Sequence, residues 1–223
     1  GTHRGEIGEQ LAYNFLHKVF GEGRVYKSVK VKTLLSESST TRREDKTDID
    51  VLCILGSKAL CVQVKSKRLT ELTRKGSDEA LQRDFKAAVQ DAYDQGIEAR
   101  KQILSRDAKF LDQDGNEIIL SEKIDEVYIM GLTTENYPSL THQAGIMLRK
   151  DENDPFPIFL TLFDLDLVMH YLSDPYDFLY YVRQRTALMD YFKAEEEVVF
   201  LGYHLIRKLW KIPGSDMVAL DNT

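Results

Sequence analysis

Long apolar runs are missing from this 223-residue sequence. Nothing approaches the roughly 18 consecutive apolar residues that a membrane helix needs, so no membrane span is expected. The opening residues have no secretory leader pattern. They read Gly1-Thr2-His3, without Met, as expected either of a trimmed chain or of part of a longer protein. Cysteine is scarce. Cys53 and Cys61 cannot build a disulfide framework and lack CxxC spacing, so a cytoplasmic setting is the expectation. His3, His17, His142, His170 and His204 share no metal-ligand spacing. Glycine-rich phosphate loops and a G-x-S-x-G elbow are absent. Asp112-x-Asp114-Gly115-Asn116 opens like a calcium loop but lacks the later ligands, so a hairpin turn is expected there. Internal repeats and low-complexity tracts are also missing.

The chain does have enough length for one good core, or one core with a small annex. It is 43% hydrophobic and 30% charged, within the range of globular domains. The net charge of -6 opposes nucleic-acid binding, but its distribution does not. Residues 1–76 hold 15 Lys+Arg against 9 Asp+Glu, and residues 77–223 hold 15 against 27. The basic excess gathers in the N-terminal third, a local footprint suited to phosphate. Chance unevenness is the plainer alternative.

Apolar spacing predicts a helix over 5–20, with Ile7, Leu11, Phe15 and Val19 beside Ala12, Leu16 and Phe20, stopped by Gly21 and Gly23. A strand is expected over Val25 to Leu35 and a mobile polar loop over 36–47. Asp48 to Leu55 and Lys58 to Lys65 read as a hairpin turning at Gly56-Ser57. Ser77 should cap one long helix to about Leu104. A second hairpin is expected around Asp114-Gly115, then strands over Val127 to Leu132 and Ile158 to Phe163. Asp164 or Asp166 should cap a helix to Leu172. Pro175 should open another to about Leu188, followed by helix over 195–210 and a frayed tail from Ile212. This order predicts an α/β fold with a mixed central sheet. Residues 1–132 form its core, and 133–223 an α/β extension packed on it.

The first hairpin concentrates chemistry. A two-residue turn pairs Leu55 with Lys58, which sets Asp50 opposite Gln63 and Asp48 opposite Lys65. Gln63 and Lys65 then share a face with Leu52 and Cys61, while Val51, Cys53, Leu60, Val62 and Val64 take the other. A carboxylate, an amide oxygen and an ammonium together suit a hard cation and a phosphate. A solvated ion pair of Asp50 or Asp48 with Lys65 is the alternative. At about 100° per residue, Glu9 falls near the apolar line of Ala12, Leu16 and Phe20, where a carboxylate needs a partner. Compensation of the helix dipole would also account for it.

The segments GEIGEQLAYNFL and TDIDVLCILGSKALCVQVKSK resemble the PD-(D/E)XK nuclease superfamily, closest to its Mrr-like and nuclease-related-domain branches. The resemblance covers about the first 130 residues. It implies a restriction-endonuclease-like core of helix, three strands, helix and strand. It implies a metal site of Glu9, Asp50, Gln63 and the Val64 carbonyl holding Mg²⁺ or Mn²⁺, with Lys65 activating water. Gln63 replaces the commoner acid, and Ile49 stands where Pro is usual. Lys86, Gln90 and Tyr93 on the next helix would face the site, a solvated helix face being the alternative. Lys67, Arg68, Arg74 and Lys75, with Arg42, Arg43 and Lys46, would contact phosphates. The expected partner is nucleic acid, DNA first and RNA as the alternative, with a homodimer or further domains left open. A catalytically decayed domain that binds DNA or a protein is the rival. The aromatics Tyr171, Tyr176, Phe178, Tyr180 and Tyr181 are expected in the annex core.

Overall fold

The computed structural model describes residues 2–33, 47–67, 70–75, 77–105, 108–120, 123–135 and 140–221. A six-stranded mixed sheet, order β4-β1-β2-β3-β5-β6, divides helices into two layers. Its strands are β1 (Val25–Thr33), β2 (Thr47–Leu55), β3 (Lys58–Lys65), β4 (Ala108–Leu111), β5 (Glu126–Thr133) and β6 (Ile158–Thr161). β1, β2, β3 and β4 pair antiparallel, and β3-β5 and β5-β6 pair parallel. Most of the polar loop expected over 36–47 lies outside the described residues, and Thr47 already belongs to β2.

Helix α1 (Thr2–Phe20) packs on one face with α6 (Leu162–Tyr171), α7 (Pro175–Ala187) and α8 (Glu197–Arg207). The line that enters this core is Ala12, Leu16 and Phe20, joined by Val19. Ile7 and Leu11 are exposed at 48% and 40%, so the expected four-residue stripe is only partly the buried one. On the other face lie α2 (Glu71–Arg74), α3 (Asp78–Phe85), α4 (Asp91–Ser105) and α5 (Leu140–Met147). Ser77 caps α3, accepting from the Ala80 N–H at 3.4 Å. Cys53 and Cys61 are buried in opposite cores, as hairpin alternation requires.

Four local expectations are corrected. The single helix expected over 77–104 is interrupted by a π turn at Lys86–Gln90, where the Asp91 N–H reaches back to the Lys86 carbonyl. The second hairpin shrinks to a Leu111–Glu117 bridge, because β4 takes β1 as its partner and the Asp112 carboxylate holds the turn by accepting from Asp114 and Asn116 N–H. The last apolar run turns into α6 at Leu162, with Thr161 as N-cap and Asp164 as its reciprocal partner in a capping box. The tail is held rather than frayed: β8 (Val218–Ala219) pairs with β7 (Phe192–Lys193), and the Tyr191 hydroxyl bonds both main-chain groups of Ile212.

β6 places part of the C-terminal half in the central sheet, so the sheet runs across the division expected at residue 132. The same half buries Phe178 and Tyr181, whereas Tyr171 and Tyr176 stay exposed. It also buries an ion pair. Arg185 donates twice to Glu197 at 2.8 Å, Tyr181 donates to the same carboxylate, and the guanidinium stacks on Phe200. This geometry satisfies charges that would be costly to bury alone. No helix among the described residues is long and apolar enough to cross a membrane.

Candidate functional site

The β2-β3 ladder follows the expected register from Leu55↔Lys58 to Val51↔Val62 and ends there. The further rungs, Asp50 opposite Gln63 and Asp48 opposite Lys65, do not form. Val64 instead donates its N–H to Asp50 Oδ2 at 2.6 Å, and Gln63 Nε2 donates to the Asp48 carbonyl at 2.9 Å. The cause is visible in both strands. Along β1, Val25 enters one core and Tyr26 packs on the other, yet Val29 joins the second. Along β2, Val51 enters the first core and Leu52 the second, yet Ile49 also joins the second. Each strand therefore turns over once, at Ser28 and at Asp50. Ser28 carries φ of 52°, a left-handed conformation costing a non-glycine residue on the order of 1–2 kcal/mol.

This double irregularity opens a gap between β2 and β3. In an extended strand the N–H and C=O of one residue face the same neighbour, so the Val64 carbonyl faces the gap with its N–H. Gln63 is 1% exposed. With its nitrogen committed to Asp48, its oxygen remains to accept. Gln63 and Lys65 lie on the α4 side of β3, where Lys65 Nζ donates to Gln95 Oε1 at 2.6 Å.

Two helices wall the gap, and a glycine brings each close. A Cβ on Gly8 would stand 2.5 Å from Thr134 Cγ2 and 3.2 Å from Val64 Cγ1. That approach sets the adjacent Glu9 over the end of β3. A Cβ on Gly96 would stand 2.4 Å from Ile129 Cγ2, and its neighbour Gln95 meets Lys65. The result is a cavity of about 610 Å³ lined by Glu9, Asp48, Asp50, Gln63, Val64, Lys65, Asp94, Gln95 and Glu98. Five carboxylates face one lysine there.

Burial raises the Glu9 carboxyl above its ordinary pKa, and the nearby Asp50 charge adds to this, partly opposed by Lys27 and Lys65. Burial also raises Asp50, against the lowering effects of the Val64 N–H and Lys65. Two mutually repelling, partly buried carboxylates, an amide oxygen and a main-chain carbonyl fit a hard divalent cation such as Mg²⁺ or Mn²⁺. Among the described residues, no group of three or more His, Cys, Asp or Glu side chains is arranged to hold a metal ion. The fit therefore depends on the neutral oxygens of Gln63 and Val64.

No family model matches this chain, and no curated protein matches its sequence.

The remaining candidates are placed differently from Glu9, Asp50, Gln63 and Lys65. Lys67 pairs with buried Asp84 at 3.6 Å. Burial works to raise Asp84, but donation from Thr70 and Thr73 together with Lys67 holds its pKa below the ordinary value. That carboxylate fastens the segment after β3 to α3. Lys75 is exposed after α2, while Arg68 and the Arg74 side chain lie outside the described residues, as do Arg42, Arg43 and Lys46. Lys86 and Gln90 line a second cavity instead, and the Tyr93 hydroxyl donates to the Pro155 carbonyl at 3.1 Å. The π turn explains this. Its extra residue shifts the helix phase by roughly 100°, so α4 presents Asp94, Gln95 and Glu98 to the gap. Their i, i+4 spacing beside Gly96 was the available sequence signal, unusable without knowing the phase.

Proposed function

We propose that this chain is a metal-dependent nuclease hydrolysing phosphodiester bonds, DNA first, on a restriction-endonuclease-like core. The observation that carries this reading is the convergence of Glu9, Asp50, Gln63 and Lys65 on one cavity, with both carboxyls raised by burial. The order α1, β1, β2, β3, α3-α4, β5 supports the core assignment, with β4 added at the sheet edge. Glu9, Asp50, Gln63 Oε1 and the Val64 carbonyl would hold Mg²⁺ or Mn²⁺. Such a cation, when bound, polarises a phosphoryl oxygen and acidifies water. The chain's own contribution is positional. Asp50 is locked by the Val64 N–H, Glu9 is seated by the close approach at Gly8, and Lys65 is aimed by Gln95. The Lys65 ammonium has two donors beyond that bond, available to a phosphate oxygen or to the attacking water.

The test is single-turnover cleavage of plasmid, linear DNA and RNA with titrated Mg²⁺ and Mn²⁺. Lys65→Ala is expected to lower the rate by at least about 100-fold while the fold persists, and Asp50→Ala to remove both cleavage and metal binding. Activity that survives EDTA, or a fully active Lys65→Ala protein, would overturn the reading. The shortage of a third acidic ligand favours a second reading, a catalytically silent domain that binds nucleic acid or a protein. Mn²⁺-dependent thermal stabilisation, abolished in Asp50→Asn, separates the two.

A further inference from the structure

The helical face formed by α3 and the π turn carries a different kind of cavity. It measures about 650 Å³, and Arg83, Lys86 and Arg149 line it with Phe85, Gln90 and Met147. Among its lining residues the acid is Glu79, and the balance is cationic. Among the described residues, none of these three cations joins an ion pair. Three exposed cations around one cavity, with Glu79 as the acid among its lining residues, repel one another, a cost that a bound anion lowers.

Gln90 builds the cavity and links it to the acidic gap. Its amide donates to the Arg149 carbonyl at 2.8 Å and accepts the Arg149 N–H at 2.9 Å, which pins the segment after α5 against the helix. The same nitrogen donates to Asp94 Oδ1 at 2.8 Å, and Asp94 lines the acidic cavity. The two cavities thus lie along one helix, with Lys86 and Asp94 eight residues apart in sequence. That is about 12 Å along the axis, so one strand can reach both cavities. Guanidinium groups suit phosphate by their paired donors, and the partly buried Met147 suits the sugar or base beside it.

We propose that the cavity of Arg83, Lys86 and Arg149 binds a nucleotide phosphate of a nucleic-acid strand, a few nucleotides from the phosphate held at the acidic gap. The spacing rests on the nuclease reading of that gap; phosphate binding by the cationic cavity does not. The ligand is either an internal phosphodiester or the phosphorylated end of a strand, and both share the chemistry recognised here.

The test is fluorescence anisotropy with 3′-labelled oligonucleotides, carrying 5′-phosphate or 5′-hydroxyl ends, in EDTA so that no cleavage intervenes. The triple variant Arg83→Ala, Lys86→Ala, Arg149→Ala is expected to bind at least about tenfold more weakly, with a salt dependence shallower by about two to three contacts. All three residues are exposed, so thermal unfolding should match the wild type. Lys86→Glu with Arg149→Glu provides a second measurement with the same expected direction. An equal loss on both oligonucleotides places an internal phosphate in the cavity, and a loss confined to the 5′-phosphate form places the strand end there. Variants that bind both oligonucleotides with unchanged affinity and salt slope would overturn the proposal, even if the wild type cleaves. Conversely, weakened binding in a protein without cleavage would sustain it while the nuclease reading fails.

Discussion

Asp50 shows how one residue can serve a site at the expense of the fold. Its carboxylate takes the place of a ladder carbonyl by accepting the Val64 N–H, and burial pushes its pKa up. A carboxyl with a raised folded pKa binds its proton more tightly in the folded state. Its stabilising contribution is fully present below the unfolded value of about 4 and is lost as pH rises through the folded value. Glu9 has the same sign, while Asp84 and Glu126 have the opposite sign, so a wild-type pH profile mixes both. The difference between wild type and Asp50→Asn isolates the Asp50 contribution. In EDTA, the variant is expected to gain melting temperature over the wild type as pH rises from about 4 to 7. Millimolar Mg²⁺ at pH 7 should reverse the order by stabilising the wild type alone. Coincident melting curves for the two proteins under both conditions would show that Asp50 has only a structural role.

At the scale of elements, the site depends on how closely α1 and α4 approach the sheet. Gly8 and Gly96 each sit beside a site residue, and each would place a Cβ at about 2.5 Å or less from a neighbouring side chain. Gly8→Ala gains about 1 kcal/mol of helix propensity, against an overpacking cost of about 1–3 kcal/mol. The expected result is a net loss, a melting temperature lower by several degrees. A metal-induced shift smaller than the wild type's should accompany it, because Glu9 moves with the helix. A Gly8→Ala protein as stable and as metal-responsive as the wild type would show that α1 can adjust without moving Glu9. The π turn acts at the same scale. One extra residue between α3 and α4 turns the acidic face of α4 toward the gap and leaves Lys86 and Gln90 on the second cavity.

For the whole molecule, the C-terminal half is part of the scaffold. β6 pairs with β5, and α6, α7 and α8 supply much of the core that covers Leu16, Phe20, Val62 and Leu132. Residues 1–132 alone would leave that face and the β5 edge bare, a large apolar surface beside unpaired strand groups. Such a fragment is expected to lack a cooperative thermal transition and to aggregate, whereas the full chain should unfold cooperatively. A fragment melting as a sharp two-state unit, followed by circular dichroism and calorimetry, would mean that the first five strands are self-sufficient.

Much of this arrangement was legible in the order of residues. The Gly56-Ser57 turn and the alternation along β3 dictated a register that put Gln63 and Lys65 on one face, because a two-residue turn leaves no freedom in pairing. The spacing of Ala12, Leu16 and Phe20 aligned Glu9 with the buried side of α1. The α/β class and mixed sheet followed from the succession of apolar runs. What lay beyond the sequence were the departures from regular period. The turnover at Ser28 and Asp50 replaces two rungs with side-chain bonds, and the π turn rotates α4 so that Asp94, Gln95 and Glu98 enter the site. Periodicity describes neighbours within one element, where geometry repeats. An added residue, a close approach at glycine or a strand joined from 25 residues downstream is decided by what packs on the other side, and only the tertiary structure contains that partner.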